Sequence, residues 1–238
     1  MDLSNRTVVI TGATGGLGST LTRELALHGA HLALLDIDAT RLEALVKSLA
    51  LPEARLVTHT VNLLDLAETK SAADTIAAKF GQIDILLHVV GGWTGGKTLM
   101  EASADDLAFM LNQHVWTSFH VIQAFVPYLI KNHWGRVVMV TSPSGVRPSA
   151  KSGLYAAGKA GQEALMLTLS QELKGSGVTA NLLQARTIDI KREKVSAPSE
   201  DNSTWTTPEE FNAAILYLLS DEAATINGAK IPLFGSYS

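Results

Sequence analysis

The alternation of strand-like and helix-like segments predicts an α/β fold, a doubly wound parallel sheet of about seven strands with helices on both faces. Three observations carry that expectation. Short apolar or β-branched runs alternate with longer helical patterns from end to end, without internal repeat or low-complexity tract. The first run passes directly into a glycine-rich turn and a helical pattern. Hydrophobic residues make up 46% of the 238, ample for a sheet covered on both faces. No linker-like stretch interrupts the pattern, so residues 1–238 read as one domain.

Strands read near 6–11, 31–36, 55–59, 83–88, 136–141, 178–183 and 229–233. Helices read near 16–28, 39–50, 66–80, 104–131, 154–174 and 208–220. Such alternation implies right-handed crossovers, and ligands then collect outside the carboxyl ends of the strands. Gly12, Asp36, Gly91, Ser142 and Ile188 are expected to converge there.

The first strand, Arg6 to Thr11, is β-branched and of strand length. Gly12-Ala13-Thr14-Gly15-Gly16-Leu17-Gly18 follows, then Leu21, Leu25 and Leu27 in a helical pattern. Strand, glycine turn and helix start suit a dinucleotide, because backbone N–H groups and the helix dipole can receive a pyrophosphate. The spacing is Gly-x-x-x-Gly-x-Gly, not Gly-x-Gly-x-x-Gly. The second strand, His31 to Asp36, ends in a carboxylate that can accept from an adenosine ribose and repel a 2′-phosphate. Gly15 offers no cation for such a phosphate. Both features point to NAD, with NADH preferred over NADPH. A strand-end cap is the structural alternative for Asp36.

Tyr155 and Lys159, in Gly153-Leu154-Tyr155-Ala156-Ala157-Gly158-Lys159, sit one above the other on a helix. An ammonium beside a phenol stabilises the phenolate and lowers its pKa from about 10, each unit corresponding to about 1.4 kcal/mol. The product is an acid/base for an alcohol or carbonyl near neutral pH. Two residues packed for structure alone would show the same spacing.

Together these residues resemble the short-chain dehydrogenase/reductase family, over nearly the whole chain. The family's Thr-Gly-x-x-x-Gly-x-Gly turn is Thr11 to Gly18, and its Tyr-x-x-x-Lys pair is Tyr155 and Lys159. Its catalytic serine falls at Ser142, in Val140-Thr141-Ser142-Pro143-Ser144-Gly145. Thr207-Pro208-Glu209-Glu210 through Leu218-Leu219-Ser220-Asp221-Glu222 to Asn227-Gly228 is similar to its last helix and turn. The resemblance implies a Rossmann-like fold, with Gly12, Gly16, Leu17, Gly18 and Asp36 on the cofactor. It adds Asn62 and Leu63 at the adenine, Val90 and Gly91 after the fourth strand, and Tyr155, Lys159 and Ile188 at the nicotinamide end. Ser142, Tyr155 and Lys159 are then the catalytic residues, and His114 takes the place of the family's catalytic asparagine, judged by its spacing to Gln123 and Pro127.

Departures from the family pattern fall close to the chemistry. The usual Asn-Asn-Ala-Gly is His88-Val89-Val90-Gly91, which removes two amides that tie strands together. His114 can hold a water in a proton relay, since imidazole both donates and accepts, or it is a helix histidine satisfied by a backbone carbonyl. Asn112 cannot replace it, because two helical steps turn a side chain through about 200°. The usual Pro-Gly is Ala185-Arg186, and Arg186 can receive a substrate carboxylate or phosphate or stand solvated in a loop. Trp93 and Met100 line the pocket or pack in the core.

Gln184 to Thr206 is charged and polar, with Trp205 as its main apolar anchor, and reads as a mobile or open substrate loop or as an ordinary surface loop. Apolar residues on more than one face of 104–131, among them Leu107, Leu111, Val115, Phe119, Ile122, Phe125 and Val126, call for a partner. The family commonly associates through 104–131 and 154–174, so a homotetramer or homodimer is expected. A net charge of −4 without a basic cluster argues against nucleic acid. The chain has no cysteine, which excludes disulfides, thiol catalysis and thiolate metal sites, and no metal is expected. No apolar run reaches membrane-spanning length and Met1 to Asn5 shows no signal pattern, so a cytoplasmic protein is the expectation.

The sequence therefore reads as a short-chain NAD-dependent oxidoreductase. It would interconvert a carbonyl compound and a secondary alcohol, with Tyr155 as general acid/base. The rival is a nucleotide-binding regulatory or scaffold protein of the same fold that has lost catalysis. The departures favour the rival; retention of Ser142, Tyr155 and Lys159 together favours the enzyme.

Overall fold

The computed structural model describes residues 1–234. Its strands are β1 (Thr7–Thr11), β2 (His31–Asp36), β3 (Leu56–Thr60), β4 (Ile85–His88), β5 (Gly135–Thr141), β6 (Val178–Gln184) and β7 (Lys230–Pro232). They form one parallel sheet in the order β3-β2-β1-β4-β5-β6-β7. The helices are α1 (Gly16–Leu27), α2 (Ala39–Leu49), α3 (Leu66–Phe80), α4 (Ala104–Leu111), α5 (Thr117–Lys131), α6 (Gly153–Glu172), α7 (Glu193–Ser196) and α8 (Pro208–Leu219).

Successive strand residues point to opposite faces, and both faces are covered. Ile10, Leu32 and Leu34 pack with Leu21 and Leu25 of α1, Leu42 of α2 and Phe211 of α8. Val9, Ala33 and Leu86 pack on the other face with Ile76 of α3, Phe125 and Leu129 of α5 and Met166 of α6. Helix starts follow the sequence. Asp38 caps α2, Asp65 caps α3, and Ser103 and Thr207 form capping boxes at α4 and α8.

Two elements differ from the sequence expectation. The span read as one helix over 104–131 is interrupted by a π-helical turn, Asn112–Trp116, with His114 at its centre. One extra residue in a turn leaves the apolar pattern on either side intact, so periodicity cannot register it. The segment after β6, irregular in the sequence, carries a short helix and is tied internally. Asp189 accepts from the backbone N–H groups of Glu193 and Lys194, both at 2.8 Å, and starts α7. Thr206 pairs back beside Ile188, and Lys194 donates to the Trp205 carbonyl at 3.0 Å and to Glu210 at 2.9 Å.

Candidate active site

β1 has β2 on one side and β4 on the other, so consecutive crossovers leave to opposite faces and a crevice opens at their carboxyl ends. Gly12 sits there at φ +73°, and a Cβ on it would come within 3.1 Å of Val90 N. A Cβ on Gly18 would lie 2.1 Å from the Gly12 carbonyl oxygen, so only glycine lets α1 approach β1 this closely. Unlike the four capped helices, α1 begins at Gly15 with no side-chain cap and no acidic residue in its first turn. Its first N–H groups are left for an anion, which fits a pyrophosphate. The Ile190 side chain lies against Gly16, where a Cβ would be 2.6 Å from it, so this flexible side chain covers part of the turn.

One cavity, of about 280 Å³, is lined by Thr14, Asp36, Arg41, Asn62, Leu63 and Val90, among others. Asp36 Oδ2 accepts from the Thr14 backbone N–H at 2.9 Å and from its hydroxyl at 2.7 Å, and Oδ1 accepts from Ile37 N at 2.9 Å. Asp36 is therefore both the strand-end organiser and a lining residue, since a carboxylate retains acceptor sites for a ribose. Asn62 Oδ1 accepts from Leu64 N at 3.1 Å, and the Leu63 carbonyl meets His120 Nδ1 at 2.8 Å. Sequence reasoning missed Arg41, which faces this cavity and donates to the Thr14 carbonyl at 2.6 Å. Its only signal was a cation in the first turn after Asp38.

A second cavity, of about 420 Å³, shares Val90 and Gly91 with the first and adds Gly16, Leu17, Gly18, Trp93, His114, Tyr155, Lys159, Arg186 and Ile188. Tyr155, Trp93 and Arg186 also line a third, of about 470 Å³, with Ser142, Ser144, Ser149 and Lys151. Tyr155 thus stands between the cleft beside the glycine turn and a serine-rich chamber. Met100 is 87% exposed and lines none of these cavities.

Ser142 is buried at the end of β5, and its Oγ donates to Ser144 Oγ and accepts from Ser144 N, both at 3.2 Å. It stands near enough to the phenol to favour its ionised form, yet burial is the larger effect and raises the Tyr155 pKa above its ordinary value. This reverses the expected direction. Lys159 Nζ lies 5.9 Å from the Tyr155 ring centre and donates to the Val140 carbonyl at 2.9 Å and to Gln162 Oε1 at 3.0 Å. Burial lowers the Lys159 ammonium itself to about 7, with Glu163 opposing the fall.

His114 Nε2 meets the Gly92 carbonyl at 2.9 Å, which makes Nε2 the protonated nitrogen, and its ring stands edge-on to Tyr155 with centres 5.4 Å apart. Its Nδ1 is buried with no partner among the described residues. His88 restores part of what the missing amides would tie together. Its Nδ1 is 2.7 Å from Thr11 Oγ1, joining β4 to β1, and its Nε2 is 3.5 Å from Thr117 Oγ1. Burial first, and then the Lys159 charge, lowers both imidazoles to about 3. Folded-state values below the unfolded one mean that the unfolded chain binds more protons, so stability falls as pH drops through the window from about 6.5 to 3. We expect urea midpoints to decline steeply over that window, and His88→Asn to flatten the decline. An unchanged slope in that variant would contradict the assignment.

Among the described residues no group of three or more His, Asp or Glu could hold a metal ion. No described helix is long and apolar enough to cross a membrane.

Comparison with known proteins places these features in context. A family model described as short chain dehydrogenase matches residues 6–200. The chain is 29% identical over 243 residues to a 3-oxoacyl-[acyl-carrier-protein] reductase of Thermotoga maritima, covering 99% of this chain and 98% of that one. An apo short chain oxidoreductase from Pseudomonas aeruginosa, described as containing an atypical catalytic center, superposes with a TM-score of 0.88 at 24% identity, covering 100% of this chain and 99% of that one. A carveol dehydrogenase from Mycobacterium avium in complex with NAD superposes with a TM-score of 0.83 at 24% identity, covering 96% of this chain and 95% of that one.

Proposed function

The chain belongs to the short-chain dehydrogenase family, and from that premise we propose that it is an NAD(H)-dependent oxidoreductase interconverting a carbonyl compound and a secondary alcohol. One observation carries the reading: Tyr155 lines both the cleft that begins at the Gly12–Gly18 turn and the chamber that holds Ser142. Binding alone does not call for an acid/base set at that junction.

A nicotinamide dinucleotide along the cleft supplies the hydride in reduction and accepts it in oxidation. Tyr155 Oη gives its proton to the substrate oxygen, or takes it in the reverse direction. Ser142 Oγ hydrogen-bonds the same oxygen and fixes its position. Lys159 holds the nicotinamide ribose and, while charged, favours the phenolate. The His114 ring stands edge-on to Tyr155, and its buried Nδ1, without a partner among the described residues, is an acceptor that a water in the proton path would use. Ile188, which lines the same cleft, would meet the nicotinamide amide through its backbone. Asp36 favours NAD over NADP, and the Arg41 contact with the Thr14 carbonyl holds that cation on the turn.

The same account makes the protein a homodimer or homotetramer. Leu107 and Phe109 of α4, Trp116 of the π turn, and Phe119 and Ile130 of α5 are between 36% and 50% exposed, an apolar face without a partner in the monomer.

NADH oxidation followed at 340 nm over a panel of aldehydes, ketones and keto acids tests the activity. Acceleration by a carbonyl compound is the expected result; no acceleration by any member contradicts it. Ile190 over Gly16 favours the second reading, a nucleotide-binding regulatory or scaffold protein, and saturable NADH binding with no carbonyl-dependent oxidation would select that one.

A further inference from the structure

α6 lies against the π turn through small residues. A Cβ on Gly158 would come within 2.9 Å of the Met110 carbonyl oxygen and 3.0 Å of the His114 ring, and one on Gly161 within 2.7 Å of the Val115 side chain. The residue after Gly161, Gln162, is 0% exposed. A buried amide is costly unless both of its ends are bonded. Gln162 Oε1 accepts from Lys159 Nζ at 3.0 Å, and its Nε2 donates to Ser118 Oγ at 3.1 Å. Ser118 Oγ in turn donates to the His114 carbonyl at 2.6 Å. An ammonium only donates and a carbonyl only accepts, so each bond in this chain has one possible direction. The chain runs without a break from the π turn to the lysine of the cleft.

We propose that Gln162, held by Ser118, is a positioning residue: it fixes the Lys159 ammonium at the wall of the cleft and ties it to the turn that carries His114. The inference rests on the oxidoreductase reading for its consequence, because there Lys159 holds the nicotinamide ribose and favours the Tyr155 phenolate. Among the described residues Nζ has two acceptors, Gln162 Oε1 and the Val140 carbonyl at 2.9 Å. An ammonium carries three N–H donors, so one is left for a ribose hydroxyl. The Val140 carbonyl is fixed in β5, whereas the Gln162 amide sits on a side chain pinned at its other end by Ser118. The charged and titratable groups around Lys159 are Tyr155 and Glu163 on its own helix, His114 from the π turn and His88 from β4. Glu163 accepts instead from Thr141, Gln184 and Lys230, each at 3.1 Å. Burial keeps both imidazoles neutral at working pH. No hydrogen bond joins any of these four side chains to Nζ, so Gln162 is the side chain that holds it.

Two substitutions of Gln162 have opposite expected signs at Lys159, which a general loosening of the fold would not reproduce. The experiment is an NMR titration of the full chain carrying lysine labelled at the ε carbon, with the Lys159 signal assigned by its loss in Lys159→Arg. Gln162→Met keeps the length of the side chain and removes the acceptor, and proton affinity at Lys159 is expected to weaken by about tenfold. Gln162→Glu keeps the shape and makes the acceptor an anion, and the affinity is expected to strengthen by about tenfold. Ser118→Ala, which unpins the amide, is expected to weaken it by about twofold. Combined with Gln162→Met it is expected to add nothing, since the two act through one chain. Midpoints that stay put in both Gln162 variants, or that move the same way, overturn the proposal, and a Ser118→Ala effect that adds in full overturns the part assigned to Ser118. Gln162→Glu is isosteric with the parent, so its upward shift decides the matter if Gln162→Met fails to fold. The readout needs neither substrate nor NADH, so a failure of the oxidoreductase reading shows separately, as absent NADH binding.

Discussion

Tyr155→Phe is expected to lower turnover of any accepted carbonyl compound by about 10² to 10⁴-fold, the range that a positioned general acid contributes. NADH affinity is expected to stay within about twofold, since the phenol oxygen is the only atom removed and the ring keeps its edge-on packing against His114. The split is diagnostic. An interaction made in the transition state lowers kcat and kcat/KM together, whereas a lost binding contact raises KM alone. Burial raises the phenol pKa in the cofactor-free protein, so Tyr155 is a full proton donor at neutral pH and suits the reductive direction. Turnover equal to that of the parent protein would remove Tyr155 from the chemistry.

The second large effect is on the turn that receives the phosphates. Gly18→Ala places a methyl 2.1 Å from the Gly12 carbonyl and 3.0 Å from the Ala13 backbone, against atoms that cannot rotate away. Either α1 moves off β1 or the turn opens, at a cost on the order of 3 kcal/mol. NADH binding is expected to be lost with it, because the N–H groups no longer converge. Gly16→Ala meets only the side chain of Ile190, at 2.6 Å, and no backbone atom, so the contact can be relieved by a change of rotamer. Its expected effect is small. Calorimetry and NADH titration of the two variants check the ordering, and equal effects would show that the close approach at Gly18 is not the constraint.

Most of this fold is legible in the sequence because a parallel sheet buried on both faces declares itself in apolar runs, and short caps such as Asp38 and Thr207 mark helix starts. Ser142, Tyr155, Lys159 and the glycine turn come from local motifs, and the structure brings the turn, Tyr155 and Lys159 to one cleft with Ser142 in the adjoining chamber. What stayed hidden depends on contacts between elements distant in the chain. The π turn at His114 leaves no trace in periodicity. The bridging role of His88 requires knowing that Thr11 and Thr117 flank it. Glu163 and Lys230 are 67 residues apart, and only the placement of β7 beside β6 joins them. The direction of the Tyr155 shift follows from its burial, which spacing along the chain does not show. Helical spacing puts Lys159 below the phenol, but its Nζ is drawn to the Val140 carbonyl, which sequence spacing does not reveal.

The central claim is that the cleft from Gly12 to Ile188 holds NAD(H) in preference to NADP(H). A side-by-side fluorescence titration of the purified protein with NADH and NADPH tests it most directly. We expect saturable NADH binding about tenfold or more tighter than NADPH, a difference of about 1.4 kcal/mol assigned to the Asp36 carboxylate. Tighter binding of NADPH would mean that Arg41, not Asp36, governs the adenosine end, and binding of neither would mean that Ile190 and the Ala185-Arg186 stretch have closed the cleft.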